Sequence, residues 1–295
     1  MLTLDEGDHP EGRPHLSSAS GIARLGHRVY IVADDEHHLA WTEADEVASS
    51  PLRLLRFTPG RLPLEGAQRK AHKPDLEVLL HLPALEPGGG DLLVLLGSGS
   101  RPQRERAFAM EMLPHGEPAA APVEVSAAMF YARVREQFGE PNLEAACADG
   151  AHVHLFQRAN RSQPFNGRVT YLAQEVCAWL RGCAAPPSPV AVRRFSLGDD
   201  QGVPFGITDA APWPGGGCVF TAVAEDTTDA YRDGACLASM VGWMDGQGQV
   251  RACVPLAGAP KVEGVTRSPG GRLWLVTDAD DPHRPSELLE VDWAP

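Results

Sequence analysis

Glu77, Glu144 and Glu263 stand at matching places in short segments of one shape: Leu76-Glu77-Val78-Leu79, Leu143-Glu144-Ala145-Ala146 and Val262-Glu263-Gly264-Val265. Two further segments, Ala19-Ser20-Gly21-Ile22 and Phe205-Gly206-Ile207-Thr208, carry Ser20 and Gly206 at the same place. Carboxylates gathered into a narrow space repel, so their pKa values rise unless a positive charge sits among them. An oxygen-only set with a hydroxyl from Ser20 suits Ca²⁺ or Mg²⁺ better than zinc, which makes Ser20, Glu77, Glu144 and Glu263 the candidate metal ligands. The same carboxylates could instead bond to backbone N–H groups or pair with Arg24, His81 or Arg267. One of them could also serve as a general acid or base.

Each segment is followed by a β-rich run that ends in polar residues: Asp34-Asp35, Gly97-Ser98-Gly99-Ser100, Gln157-Arg158, Glu225-Asp226 and Thr277-Asp278. Asp34 and Asp35 are the candidate catalytic carboxylates. The loop Gly97-Ser98-Gly99-Ser100-Arg101 could cradle an anion through backbone N–H groups, with Arg101 or Arg104 adding charge. It lacks the Gly-Lys-Ser/Thr ending of a P-loop. Arg158 and Asn160 could hold a ligand oxygen, and with Ser98, Arg101 and Glu225 they make up the candidate ligand-binding set. No Gly-x-Ser-x-Gly elbow, C-x-x-C pair or metal-type histidine spacing occurs in the sequence.

These two sets meet only if the chain repeats a hairpin around an axis. Apolar runs at 29–32, 92–96, 153–156, 219–223 and 273–276 each follow a marker segment after a Gly- or Pro-bearing turn, which is a strand-turn-strand pattern. A third run follows each hairpin, and a fourth closes four of the five units. The markers at 20, 77, 144, 206 and 263 are spaced by 57, 67, 62 and 57 residues, and wrapping through the termini gives 52. That is the rhythm of four-stranded propeller blades. The expected fold is an all-β, five-bladed β-propeller in one domain, 1–295. Its blades fall at about 18–59, 76–126, 143–197, 205–256, and 262–295 plus 1–8. First strands line the central channel and second strands return to the same mouth, so both polar sets converge there. The fifth unit lacks a fourth run and Leu2-Thr3-Leu4 is spare, so the N-terminal strand is expected to close the ring. Phe130, Val134 and Phe138 lie at i, i+4, i+8 behind Ser126 as a candidate N-cap, predicting one short helix between blades 2 and 3. A β-sandwich built from the same strands is the alternative.

With 295 residues, 43% of them hydrophobic, the chain can bury a substantial core, and its 30 Gly and 26 Pro imply many turns. A net charge of −13 argues against nucleic acid or an anionic membrane surface as partner. No apolar stretch is long enough to span a membrane and the N-terminus lacks a signal-like pattern, so a cytoplasmic location is expected. The six cysteines are expected to be buried free thiols.

The five marker segments resemble those of bacterial five-bladed propeller proteins of unassigned function. They are also similar to those of the soluble calcium-activated nucleotidases (apyrases) and, more loosely, of esterase-like phytase propellers. The apyrase resemblance implies a central calcium, a carboxylate and serine ring at Ser20, Glu77, Glu144 and Glu263, and the family's Asp-Asp at Asp34-Asp35. The stretch 219–250, with its acidic turn and Asp245-Gly246, resembles that family's fourth blade. Three positions depart: Glu36 where an arginine follows Asp-Asp, Ala224 where a lysine precedes the acidic turn, and Gly206 where a serine is expected. Fewer cations to hold phosphates imply weak or absent nucleotide hydrolysis. The expected function is a ligand-binding or scaffold propeller with an acidic mouth that takes a small molecule or protein, with Ca²⁺ or Mg²⁺ but no organic cofactor. The alternative is a metal-dependent hydrolase of phosphoric esters or sugars.

Overall fold

Successive residues of a strand point to opposite faces of its sheet, and here both faces are apolar. In the computed structural model, Val29 and Ile31 pack with Trp274 and Val276 on one side of their sheet. The alternate residues Tyr30 and Val32 pack with Leu79 and Leu95 on the other. Five such clusters form, one between each pair of adjacent sheets, so the core is a ring of interfaces around an axis. The structure describes residues 1–5, 7–86, 89–229 and 234–293. Parts of the expected closing strand (residue 6), of blade 2 (87–88), of the stretch 219–250 (230–233) and of the fifth blade (294–295) lie outside the described residues.

The five sheets are antiparallel meanders in chain order, as expected of a five-bladed propeller. Blade 1 comprises Ala19–Leu25, Arg28–Ala33, His38–Glu43 and Arg53–Arg56. Blade 2 comprises Leu76–Leu82, Asp91–Gly97, Ala107–Met112 and Val123–Val125. Blade 3 comprises Leu143–Ala148, His152–Gln157, Asn166–Leu172 and Ala191–Phe195. Blade 4 comprises Val203–Pro212, Cys218–Glu225, Cys236–Met244 and Val250–Pro255, with Asp199–Asp200 added to its first strand. Blade 5 comprises Val262–Arg267, Leu273–Thr277 and Leu288–Val291. Burial falls outward: every residue of Leu143–Ala148 is buried, whereas four of the five in Ala191–Phe195 are exposed.

The N-terminal residues tie the last blade to the first. Leu2 N donates to Ser286 O, just before the outer strand of blade 5, and Leu52 N donates to Thr3 O, just before the outer strand of blade 1. Leu2 and Leu4 are buried between them. Bridges Thr3↔His15 and Leu4↔Leu52 make this a latch across two blades, not a fourth ladder on the sheet of blade 5.

The helix between blades 2 and 3 is present as α1 (Ala128–Phe138), with Phe130, Val134 and Phe138 buried. Ala127 caps it without a side-chain bond, so Ser126 is not the N-cap. Two further helices escaped the periodicity reading. One, α2 (Gly66–His72), joins blades 1 and 2. It buries only Arg69 and is started by Glu65, which accepts from Ala67 N and Gln68 N. The other, α3 (Ala173–Leu180), lies inside blade 3 and stacks Trp179 on Phe130. All six cysteines are free, but Cys183 and Cys253 are exposed. No helix among the described residues is long and apolar enough to cross a membrane.

Candidate functional site

Each inner strand carries one β-bulge near the channel mouth. In blade 1 the register skips Ser20, between Ala19↔Ala33 and Gly21↔Val32. The skipped residues of blades 2, 3 and 5 are Glu77, Glu144 and Glu263. A bulge leaves one residue unpaired and re-aims its side chain, which is how these four come to face one space. In blade 4 the skipped residue is Thr208, two positions after Gly206. Ser20 Oγ donates to Leu76 O at 2.6 Å and Thr208 Oγ1 to Val262 O at 2.8 Å, each reaching the residue before the next blade's bulge.

The mouth opens into a pocket of about 770 Å³. Ser20, Asp34, Asp35, Glu77, Glu144, Arg158, Asn160, Glu225 and Glu263 line it, together with residues the sequence reading passed over. Ser18, Asp75, Asn142 and Lys261 each stand two residues before a bulge. Their carbonyls accept from the residues that follow the second strands: Asp34 N to Ser18 O, Ser98 N to Asp75 O, Arg158 N to Asn142 O and Asp278 N to Lys261 O. The period-two alternation ahead of each marker was the signal that could have found them. Ser98 and Arg101 do not line the pocket. Ser98 is buried and its hydroxyl bonds to Asp75. The N–H groups of Ser98, Gly99 and Ser100 are spent on Asp75 O, Arg104 O and Ser98 Oγ, so this loop offers no anion cradle.

Arg158 and Arg104, marked in the sequence, are joined by cations that were not: Lys73, Lys261 and Arg69. Arg158 bridges Glu144 at 3.1 Å and Glu225 at 2.6 Å and lies 3.6 Å from Glu263. Lys261 lies 2.6 Å from Asp280, 3.5 Å from Asp278, 3.6 Å from Glu225 and 3.8 Å from Glu263. Lys73 pairs with Asp34 and Asp75, and Arg104 with Asp75 at 2.7 Å. Arg69, from α2, holds Asp35 at 2.8 Å, Glu36 at 3.1 Å and Glu11 at 2.7 Å. The charge balance that was expected from a metal is thus met largely by side chains. Arg13 adds to this group, lying 3.1 Å from Asp35 and 3.5 Å from Glu36.

The room for Arg158 comes from Gly206. A Cβ at that position would lie 2.6 Å from Arg158 Cγ and 2.7 Å from Ala159 O. The gap at the fourth marker is therefore where a side chain from blade 3 crosses to reach blades 4 and 5.

Acceptors still outnumber donors in the wall. The pocket is lined by eleven Asp and Glu against seven Lys and Arg. Asp34 Oδ1, Asp35 Oδ1 and Glu263 Oε1 are buried without a hydrogen-bond partner. Burial, with Lys73 opposing it, pushes Asp34 up to about 6. Burial and the nearby Glu263 and Asp75 push Glu144 up to about 8 in spite of Arg158. Glu77 and Asp278 are also raised well above the usual carboxylate range, burial being the main cause. No Phe, Tyr or Trp lines the pocket among the described residues, and its only rings there are those of His15, His283 and the lining prolines.

Two groups have metal-like proximity. Asp34, Asp75 and Glu77 bring one oxygen each within 4.8 Å of one another, and Lys73 pairs with two of the three. His9, Glu36 and His38 also converge. Here His9 Nδ1 accepts from Glu11 N, which leaves the ring proton on Nε2, facing Glu36 at 3.1 Å. His38 Nε2 accepts from Arg56 in the same way. His9 therefore donates to Glu36, while His38 Nδ1 faces Glu36 at 3.7 Å without a hydrogen-bond partner, and Glu36 is a buried node between them. Burial opposes its charge, but the neighbouring His38 and His9 and the charge of Arg69 hold it at about 2.

Comparison with solved structures shows the fold. The chain is 10% identical to a candidate exo-β-1,3-galactanase from Bifidobacterium bifidum s17, covering 100% of this chain and 93% of that one with a TM-score of 0.52. It is 10% identical to a candidate glycoside hydrolase from Parabacteroides distasonis ATCC 8503, covering 96% and 88% with a TM-score of 0.51. A protein of unknown function from Bacteroides caccae is also 10% identical, with a TM-score of 0.38. The match covers 85% of this chain but only 65% of that one. No curated protein matches the sequence. Residues 15–292 match one family throughout, and the chain belongs to it: DUF6929, a family of unknown function.

Proposed function

We propose that the propeller binds a small, uncharged or cationic molecule rich in hydroxyl or amine donors in its channel-mouth pocket. The observation that carries this reading is the set of buried carboxylate oxygens on Asp34, Asp35 and Glu263 that have no hydrogen-bond partner. Such atoms are costly to bury and are satisfied most simply by a ligand's O–H or N–H groups. The surplus of acids over cations in the wall disfavours phosphates and other anions. A thermal-shift screen of the purified protein tests the idea. Monosaccharides, polyols and polyamines should include stabilising ligands, and nucleotides should not.

A second reading is hydrolysis of a glycosidic bond by acid–base chemistry. It is favoured by Asp34 at about 6 and Glu144 at about 8 in one pocket, a base and an acid both in working form near neutral pH. The glycoside-hydrolase names of the similar structures agree with it, although at 10% identity they speak for the fold alone. Aryl glycosides assayed between pH 5 and 9 should then give a bell-shaped rate profile that Asp34→Asn removes.

A further inference from the structure

Glu144, Glu225 and Glu263 come from three blades and are all buried at the pocket wall. Such a set needs a positive charge among its members. Arg158 reaches all three, within 3.6 Å, by crossing the inner strand of blade 4 at Gly206, which has no side chain. The fit is incomplete in one respect. Glu263 lines the pocket, its Oε1 is buried without a hydrogen-bond partner, and the nearest cation to that atom, Lys261 Nζ, stands 3.8 Å away, beyond hydrogen-bond reach. The geometry points to Arg158 as the resident cation of the channel ring, a side chain seated by Gly206 that holds the place a divalent metal would otherwise take among Glu144, Glu225 and Glu263.

The ring is therefore metal-independent as it stands, and removal of Arg158 converts it into a cation site. The three carboxylates offer hard oxygen ligands only, which suits Ca²⁺. Lys conserves the charge but not the two-armed reach of the guanidinium, so R158K keeps the ring closed to metal with weaker ties between blades.

Melting curves and calorimetric Ca²⁺ titrations of wild type, R158K, R158Q, E263Q and R158Q/E263Q test this. Wild type and R158K should melt alike in millimolar Ca²⁺ and in EDTA. R158Q should be destabilised in EDTA and recover several degrees in Ca²⁺, with Ca²⁺ affinity roughly tenfold or more above wild type. The double variant R158Q/E263Q should lose that gain. R158Q that folds only in the presence of Ca²⁺ supports the inference equally. Identical R158Q curves in Ca²⁺ and EDTA, or no folded R158Q in either, overturn it. So does a wild-type protein whose own Ca²⁺ stabilisation disappears in E263Q. None of these results depends on what the pocket binds, so the inference and the donor-rich ligand reading fail separately.

Discussion

Gly206 and Arg158 form one feature divided between two blades, because a Cβ on Gly206 would sit 2.6 Å from Arg158 Cγ. The absent side chain in blade 4 lets a guanidinium from blade 3 tie carboxylates of blades 3, 4 and 5. The channel is thus stitched by a cation that belongs to the chain.

Gly206→Ala should destabilise the fold. The new methyl also meets Ala159 O at 2.7 Å, a backbone atom that cannot swing away. Overpacking of this kind costs about 1–3 kcal/mol. At about 2–4 °C for each kcal/mol, Tm should fall by several degrees in a calorimetric scan. An unchanged Tm would mean that Arg158 has another path to its partners.

Glu36 should be indispensable to the region beneath the mouth. It accepts from His9 and pairs with Arg69 and Arg13 while almost fully buried. Breaking a buried ion pair on one side costs about 3–5 kcal/mol, so Glu36→Gln should show a large loss in urea unfolding. Its folded pKa lies below the unfolded value, so its contribution is present above about pH 4.5 and is lost as the pH falls toward about 2. The wild-type acid limb should therefore be steeper than that of Glu36→Gln.

Glu144 should act in the opposite sense. Its folded pKa, about 8, lies above the ordinary value, so the folded state holds a proton that the unfolded chain has released. Stability should decline as the pH rises from about 4.5 to about 8. Glu144→Gln, which cannot ionise, should flatten that decline when unfolding is measured across this range. A variant whose pH slope matches wild type would show that Glu144 is ionised at neutral pH.

The amino-terminal latch should matter although it adds no ladder strand. Leu2 and Leu4 are buried between the first and last blades, and burial of one such side chain is worth about 1.5–3 kcal/mol. Deletion of residues 1–8 should lower Tm by several degrees. Equal melting of full-length and truncated chains would assign closure to the blade interfaces alone.

The strand rhythm was legible because a propeller repeats one hairpin, and an apolar run buried on both faces marks the second strand of each blade. The bulge ring was legible in four blades, since Ser20, Glu77, Glu144 and Glu263 each stand second in their own inner strand. It misled in blade 4, where two more paired residues precede the bulge and Thr208 takes the ring position that Gly206 had been given. The helix α2 was hidden because its buried face is one charged residue, Arg69, held by Asp35, Glu36 and Glu11, and no apolar period betrays such a face. Arg158 was marked in the sequence, but Lys73 and Lys261 were missed. Lys73 arrives from the end of α2, and Lys261 joins Glu225 of the neighbouring blade to Asp278 and Asp280 of its own hairpin.

Nucleotide hydrolysis should be weak or absent. Arg158 and Lys261 are committed to Glu144, Glu225, Asp278 and Asp280, and the wall keeps an excess of carboxylates. Incubation with a nucleoside diphosphate and Ca²⁺ should release no phosphate above background. Release that Asp35→Asn abolishes would show instead that the pocket accepts polyphosphates.

The most direct measurement is calorimetric titration of the monosaccharide, polyol or polyamine that raises Tm most, into wild type and into Glu263→Gln. Glu263 Oε1 is one of three buried pocket carboxylate oxygens without a hydrogen-bond partner among the described residues, and replacing half of the carboxylate by an N–H₂ donor should weaken binding roughly tenfold, about 1.4 kcal/mol, in a protein that still unfolds in one cooperative step. Equal affinity for both proteins, or tight binding of a nucleotide in place of any donor-rich ligand, would contradict a pocket built from unfilled acceptors.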